Sequence, residues 1–416
     1  MNINTLCKID SLNLRLNKKS IVLTAVGRIA RARSKGGIHM KRFALLTAAV
    51  LTAACCSISA HAAPREMPGI SARCAALVEM TTGQLIAEKN GTTRASMAST
   101  TKIMTSLLLC EMCDLDEEIV ATKEMVTVEG SSMGLIEGDR VHYRDLLYGM
   151  LLASGNDAAN TTAISIAGSI EKFAQLMNKK AAEIGMTESH FVTPSGLDDE
   201  EHYTTACDMA KLAVHAMKNE DFAAACASRS AVLEYGNPPY RRTLTNHNKL
   251  LQYYDGAIGI KTGFTKKSGR CLVSCAVRDG VGVIAVTLNA PSDWSDHAAM
   301  LDYGFSQLET HELYTPTDIW KVSAANTGDT LEVAFTPPSA TLLPEMFDKV
   351  TFKTEMEHFL FAPVKKGDLL GSVKYYIDDN LIAKADITAA NDIEQSPATV
   401  IKKDYIYWLK LLLGTK

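Results

Sequence analysis

Apolar positions change their spacing along the chain, and each change marks an element. Cys74-Ala75-Ala76-Leu77-Val78-Glu79-Met80, the turn Thr81-Thr82-Gly83 and the run Gln84–Glu88 predict a hairpin. Ile103, Met104, Leu107 and Leu108 then recur at helical spacing and predict a helix that begins near Ser99 and turns one face into a core. A second amphipathic helix is expected over Tyr143–Leu152, through Leu146, Leu147, Met150 and Leu151. It stops at Ser154-Gly155-Asn156, and Asp157 opens another. Helical periodicity returns over 170–185 and from Thr205 through Met217. Gly256–Ile260 reads as a strand leading into Lys261. Cys271–Val277 and Val281–Leu288 read as strands joined by Arg278-Asp279-Gly280. The strand holding Lys261 and Thr262 is thus expected beside two antiparallel neighbours, with a helix from His297 to Phe305 closing the unit.

A helix-rich middle with strands from both flanks predicts an α+β architecture, an antiparallel sheet plus a helical subdomain. After about residue 310 the texture becomes β-rich, with strands over Lys349–Thr354 and Leu370–Ile377 and a hairpin turn at Asp379-Asn380. A small β-sandwich domain serving as spacer or docking module is expected there. In Ile401–Leu413, Ile401, Tyr405, Trp408, Leu409 and Leu412 share a helical face, with Lys402, Lys403 and Lys410 off it. That pattern suits a helix lying in a membrane interface, the alternative being a terminal helix packed on its own domain.

Charge alters the picture at the N-terminus. The 416-residue chain has a net charge of −4, yet residues 1–62 hold ten Lys/Arg and one acid. The remaining 33 bases and 46 acids leave 63–416 at −13, which disfavours nucleic acid as a partner. Met40-Lys41-Arg42, the short apolar run Phe43–Ala54 and Ala60-His61-Ala62 form a secretory signal pattern with an A-x-A cleavage site. The expected partition is a mis-assigned leader over 1–39, with Met40 as the true start, and a signal peptide over 40–62. A catalytic domain over 63–308, a β-rich domain over 309–396 and an amphipathic anchor over 397–416 follow. A lipoprotein alternative rests on Cys55 after Thr52-Ala53-Ala54. Processing leaves seven cysteines, an odd number that argues against a full disulfide framework. Cys110 and Cys113 have C-x-x-C spacing without a second pair, so buried free thiols are expected rather than a zinc site.

The candidate chemistry centres on Ser99-Thr100-Thr101-Lys102. A separation of three places Ser99 and Lys102 on one helical face. Serine is a weak nucleophile until a base takes its proton, and lysine is that base only when burial or a nearby cation lowers its pKa. Taken alone, such a pair is common, and a capping serine beside a solvated lysine explains it equally well. Ser154-Gly155-Asn156 and Lys261-Thr262-Gly263 follow in the order of a known serine-enzyme signature.

With these motifs the chain resembles the low-molecular-mass penicillin-binding proteins, the serine-type D-alanyl-D-alanine carboxypeptidases, whose fold is of the penicillin-binding/β-lactamase-like transpeptidase type. Thr82-Gly83, Ser195-Gly196-Leu197-Asp198, Asp255-Gly256, Asp302-Tyr303-Gly304-Phe305 and the β-rich tail with Lys366-Gly367-Asp368 extend the likeness to about 64–416. The resemblance implies that Ser99 attacks the bond between the terminal D-alanines of a peptidoglycan stem peptide, with Lys102 as base and Ser154 as proton relay. It implies that Asn156 orients Lys102 or the substrate amide, and that Lys261 and Thr262, with Gly263, hold the terminal carboxylate. The backbone N–H groups of Ser99 and Phe264 would form the oxyanion hole. β-Lactams are expected to acylate Ser99, the location is the outer face of the cytoplasmic membrane, and no metal or cofactor is implied. An arginine that some relatives carry is missing from Ser292–His297, which shifts carboxylate recognition toward Lys261 and Thr262. A class A β-lactamase is disfavoured because no Glu-x-x-Leu-Asn follows residue 157. A D,D-endopeptidase of cross-links and a non-catalytic cell-wall-binding protein remain as alternatives.

Overall fold

The computed structural model describes residues 67–314, 316, 321–324, 330–356, 359–394 and 412. The expected leader, signal segment and, apart from Leu412, the terminal amphipathic helix lie outside the described residues.

β1 (Cys74–Glu79) and β2 (Leu85–Lys89) form the first hairpin. Gly83 supplies a left-handed φ of 72° in its turn. The buried Glu79 carboxylate closes that turn by accepting from the N–H groups of Thr81 (2.8 Å) and Thr82 (2.7 Å) and from the Thr82 hydroxyl (2.7 Å). A 3-10 turn over Ala98–Thr101 feeds α1 (Lys102–Met112), which is buried at every position from Lys102 to Leu109. The helical part continues through β3 (Glu118–Val120), α2 (Lys123–Val126), β4 (Arg140–His142), α3 (Tyr143–Leu151), α4 (Asn156–Ala167), α5 (Ile170–Glu183), α6 (Ala206–Ala216) and α7 (Glu220–Ala227). The hairpin of β5 (Ser230–Gly236) and β6 (Pro239–Thr245) and the short α8 (Leu250–Tyr253) lead to β7 (Ala257–Thr265), β8 (Gly269–Arg278), β9 (Val281–Leu288) and α9 (Asp293–Ser306).

The five-stranded antiparallel sheet has the order β2-β1-β9-β8-β7. Both of its faces are covered, which explains why its strands read as nearly continuous apolar runs. Cys74, Ala76, Val78, Val273, Cys275, Ile284 and Val286 pack toward the helical part, with Ile103, Met104 and Leu107 of α1. Ala75, Leu77, Ala276, Val283 and Ala285 pack on the other side with Met300 and Leu301 of α9. One expectation needs correcting. β8 pairs with β7 and β9 lies one strand further in, so among the described residues β7 has β8 as its one sheet neighbour and stands at the edge. The free edge of β7 therefore runs beside the 3-10 turn that carries Ser99.

The second domain contains β10 (Glu309–Glu312), β11 (Lys321–Ala324), β12 (Thr330–Ala334), β13 (Ser339–Leu342), β14 (Thr351–Met356), β15 (Phe359–Leu360), β16 (Leu369–Ile377) and β17 (Asn380–Ala389). Six of these form a sheet of order β14-β16-β17-β12-β11-β15, and β10 pairs with β13. Leu331, Val373, Tyr375 and Ile387 fill this domain in an apolar cluster continuous with that around α9. Among the described residues no helix is long and apolar enough to cross a membrane.

Candidate active site

The nucleophile candidate sits on a strained turn. Ala98 has a left-handed φ of 48°, a conformation that costs a non-glycine residue on the order of 1–3 kcal/mol. The Thr100 and Thr101 hydroxyls brace it by donating to the Met97 (2.6 Å) and Ala98 (2.8 Å) carbonyls. Ser99 is second in this turn, where backbone N–H groups have no intrahelical partner.

Lys102 is wholly buried. Its Nζ lies 3.0 Å from Ser99 Oγ, 2.7 Å from Asn156 Oδ1 and 2.7 Å from the Ser195 carbonyl. An amide oxygen and a backbone carbonyl only accept, so they take two N–H bonds of a neutral amine. The amine lone pair is then left for Ser99, the one partner of the three that can donate. Burial above all, then the charge of Lys261, holds the Lys102 amine well below the usual lysine range, while Asp157 opposes the shift. A lysine in this state meets the requirements of a general base.

Asn156 opens α4 and is held on both sides. Its N–H donates to the Ser131 carbonyl (2.7 Å) and its Nδ2 to the Glu129 carbonyl (2.6 Å), leaving Oδ1 aimed at Lys102. Ser154, two residues earlier, is 5% exposed with a left-handed φ of 58°. The buried Asp157 carboxylate locks this turn by accepting from Ser132 Oγ and the N–H groups of Met133, Gly134, Leu135 and Ala158.

Lys261 lies on β7, buried, with Nζ donating to the Thr262 carbonyl at 2.8 Å, and burial lowers its pKa to about 7. Thr262 is half-buried. Gly263 brings the strand against the nucleophile's turn. A Cβ there would stand 3.1 Å from the N atoms of both Ser99 and Thr100 and 3.2 Å from Ala98 Cβ, so a side chain would push β7 off the turn. Phe264 follows on the strand with a largely exposed ring.

The structure thus joins Ser99, Lys102 and Asn156 by direct hydrogen bonds, sets Gly263 against Ser99, and couples Lys261 to Lys102 electrostatically. Other participants were not evident from sequence. The Ser195 carbonyl is one, and a backbone acceptor leaves no trace in residue identity. His247 lies within electrostatic reach of the site. Its backbone N–H donates to the Leu152 carbonyl (3.3 Å), and burial and then the Lys261 charge lower the proton affinity of its ring. Buried Asn246 and Asn248 flank it, and that Asn-x-Asn frame is a signal that sequence reading passed over. The described cysteines are free thiols, and their burial departs from expectation only in part. Cys74, Cys226, Cys271 and Cys275 are buried, whereas Cys110 and Cys113, at the end of α1, are only half-buried. A groove of about 470 Å³ lined by His311, Tyr314, Phe347, Phe352 and Tyr375 belongs to the second domain and has no nucleophile–base pair.

Residues 60–292 match the family described as D-alanyl-D-alanine carboxypeptidase, and 309–395 match the C-terminal domain of penicillin-binding protein 5. The chain is 32% identical over 355 residues to the D-alanyl-D-alanine carboxypeptidase DacF of Bacillus subtilis, covering 82% of this chain and 89% of the relative. Among solved structures, the D-alanyl-D-alanine carboxypeptidase DacD of Francisella tularensis superposes with a TM-score of 0.58 at 28% identity, over 80% of this chain and 96% of that one. Penicillin-binding protein 5 of Haemophilus influenzae gives 0.57 at 26% identity, over 79% and 99%.

Proposed function

This chain belongs to the D-alanyl-D-alanine carboxypeptidase family, and from that premise we propose that Ser99 is its acylating nucleophile and Lys102 the base that activates it. The observation that carries the reading is the partner set of Lys102, two acceptor-only oxygens and one hydroxyl, in a site that disfavours the charged amine. Ser99 Oγ attacks the carbonyl between the two D-alanines of a pentapeptide stem, and its proton passes to Lys102. The oxyanion forms against the N–H groups of Ser99 and Phe264, where loss of one donor costs about 3–4 kcal/mol. Ser154 delivers the proton to the departing amine of D-alanine. Water then attacks the acyl-enzyme, with Lys102 again taking a proton. Lys261 and Thr262 hold the terminal carboxylate, and Gly263 permits the close approach of their strand. A β-lactam carries a strained amide in place of that peptide bond and acylates the same oxygen.

The catalytic unit over 63–308 works outside the cytoplasm, at the outer face of the membrane. The signal pattern over 40–62 and the lysine-flanked apolar face of 397–416 support that location. D-Alanine release from a peptide ending in D-Ala-D-Ala, measured beside Ser99→Ala, tests the reaction. Release by the wild type and none by the variant is the expected result. Cleavage of a cross-linked dimer without D-alanine release would replace this reading with an endopeptidase, and neither activity would leave a wall-binding protein.

A further inference from the structure

His202 is 3% exposed, and every polar atom of its ring is engaged. The residues after it are fixed by a bridge between Thr204 and Ala95, and Tyr203 bridges His190, so the ring is carried inward between two segments. Its Nδ1 accepts from the Val192 N–H at 2.9 Å and, at longer range, from the Thr193 N–H at 3.4 Å. Nε2 lies 2.8 Å from Thr101 Oγ1, and that hydroxyl donates onward to the Ala98 carbonyl. A nitrogen that accepts from a backbone N–H carries no hydrogen, so the ring proton resides on Nε2 and is donated to Thr101. The bonds therefore run in one direction, from Val192 through His202 and Thr101 to Ala98.

The two ends of this chain flank the catalytic pair. Ala98 is the strained residue before Ser99. Val192 and Thr193 begin the loop whose Pro194 carbonyl accepts from Thr105 Oγ1 (2.6 Å) and whose Ser195 carbonyl accepts from Lys102 (2.7 Å). Gly196 lies so close to the turn that a Cβ would stand 1.9 Å from the Ala98 carbonyl oxygen.

We propose that His202 is a positioning residue for the acylation step, tying the Ser195 loop to the Ser99 turn so that Lys102 keeps its lone pair on Ser99. Only the neutral ring does this. A proton on Nδ1 would face two N–H donors and break the chain at its start. Asp199 and His190 are the charged or titratable groups that act on the ring, in opposite senses. Burial holds its pKa down at about 4, so the neutral form prevails across the working range.

The proposal rests on the Ser99–Lys102 reading, and the test separates the two. The rate of acylation by a fluorescent penicillin is measured for wild type, Ser99→Ala, His202→Ala, His202→Gln and Thr101→Val, each with its melting curve. The binding and acylation steps are resolved by varying penicillin concentration. His202→Ala and Thr101→Val are expected to acylate about 10–100-fold more slowly with unchanged penicillin binding, the scale that a small misplacement of a reacting group produces. The glutamine amide presents an acceptor and a donor about as far apart as the two ring nitrogens and does not titrate. His202→Gln should therefore recover most of the rate at neutral pH. Wild-type acylation rates in Thr101→Val and His202→Ala, whatever their melting points, would overturn the proposal. So would a His202→Gln protein that folds yet is as slow as His202→Ala. Absence of labelling in the wild type would instead overturn the Ser99 reading itself.

Discussion

Replacing Lys261 by methionine should stabilise the protein while disabling it. The lysine is buried, its ammonium has one backbone carbonyl as acceptor at 2.8 Å, and burial brings its pKa from 10.5 to about 7. At ~1.4 kcal/mol per tenfold change in proton affinity, keeping the charge inside costs about 5 kcal/mol. Methionine fills a similar volume without a charge, and the hydrogen bond to Thr262 that is lost returns about 1 kcal/mol of the gain. A net gain of about 4 kcal/mol corresponds to a rise on the order of 10 °C in the melting temperature of a domain this size. The pH dependence identifies the cause. Below about pH 7 both folded and unfolded lysine hold their proton, and the penalty is present in full. Between about 7 and 10.5 the unfolded chain keeps the proton and the folded protein releases it, so wild-type stability climbs with pH. Melting curves of wild type and Lys261→Met should thus lie far apart near pH 6 and converge toward pH 10. Curves that stay parallel across that range would refute the buried-charge argument. A variant less stable at every pH would do so as well.

The same substitution removes a positive charge that depresses Lys102, so the acid limb of penicillin acylation should move to higher pH in Lys261→Met, read from the rate–pH profile. Asn156→Ala removes the oxygen that holds Lys102 and the amide that holds Glu129. Acylation should fall about 100-fold with a stability loss of about 1–3 kcal/mol, checked by labelling kinetics and by melting. Gly196→Ala faces both a left-handed φ of 85° and the Ala98 carbonyl at 1.9 Å. It should melt several degrees lower and acylate more slowly, and a wild-type melt would contradict the packing described.

Much of the site is legible in sequence because its chemistry depends on residue type at short spacing. The i, i+3 relation of Ser99 and Lys102, with Ile103, Met104, Leu107 and Leu108 around them, announces both the shared face and the burial of the amine. The hairpin before that turn and the β8–β9 pair are readable from apolar runs broken by Thr-Gly and Asp-Gly. What sequence hides is set by long-range placement. That β7 ends the sheet is a matter of strand order across distant segments, and no local pattern in 257–265 reports it. The Ser195 carbonyl belongs to a backbone group every residue possesses. His202 lies in a polar stretch, Glu200-Glu201-His202-Tyr203, that resembles a solvated loop until the Thr204–Ala95 bridge turns the ring inward. The β5–β6 hairpin goes unnoticed because Arg241, Arg242 and Pro238 mask its alternation. In the fold Arg242 lies over the rings of Tyr235 and Tyr240, 4.0 Å from each centroid.

The central claim is that Ser99 becomes covalently acylated with Lys102 as its base. Intact mass and peptide mapping after a brief exposure to penicillin, for wild type, Ser99→Ala and Lys102→Met, test it most directly. The account predicts one adduct per wild-type chain, located on the peptide containing Ser99. It predicts none on Ser99→Ala and formation slowed by orders of magnitude in a folded Lys102→Met protein. An adduct on another residue, or undiminished labelling without the Lys102 amine, would contradict it.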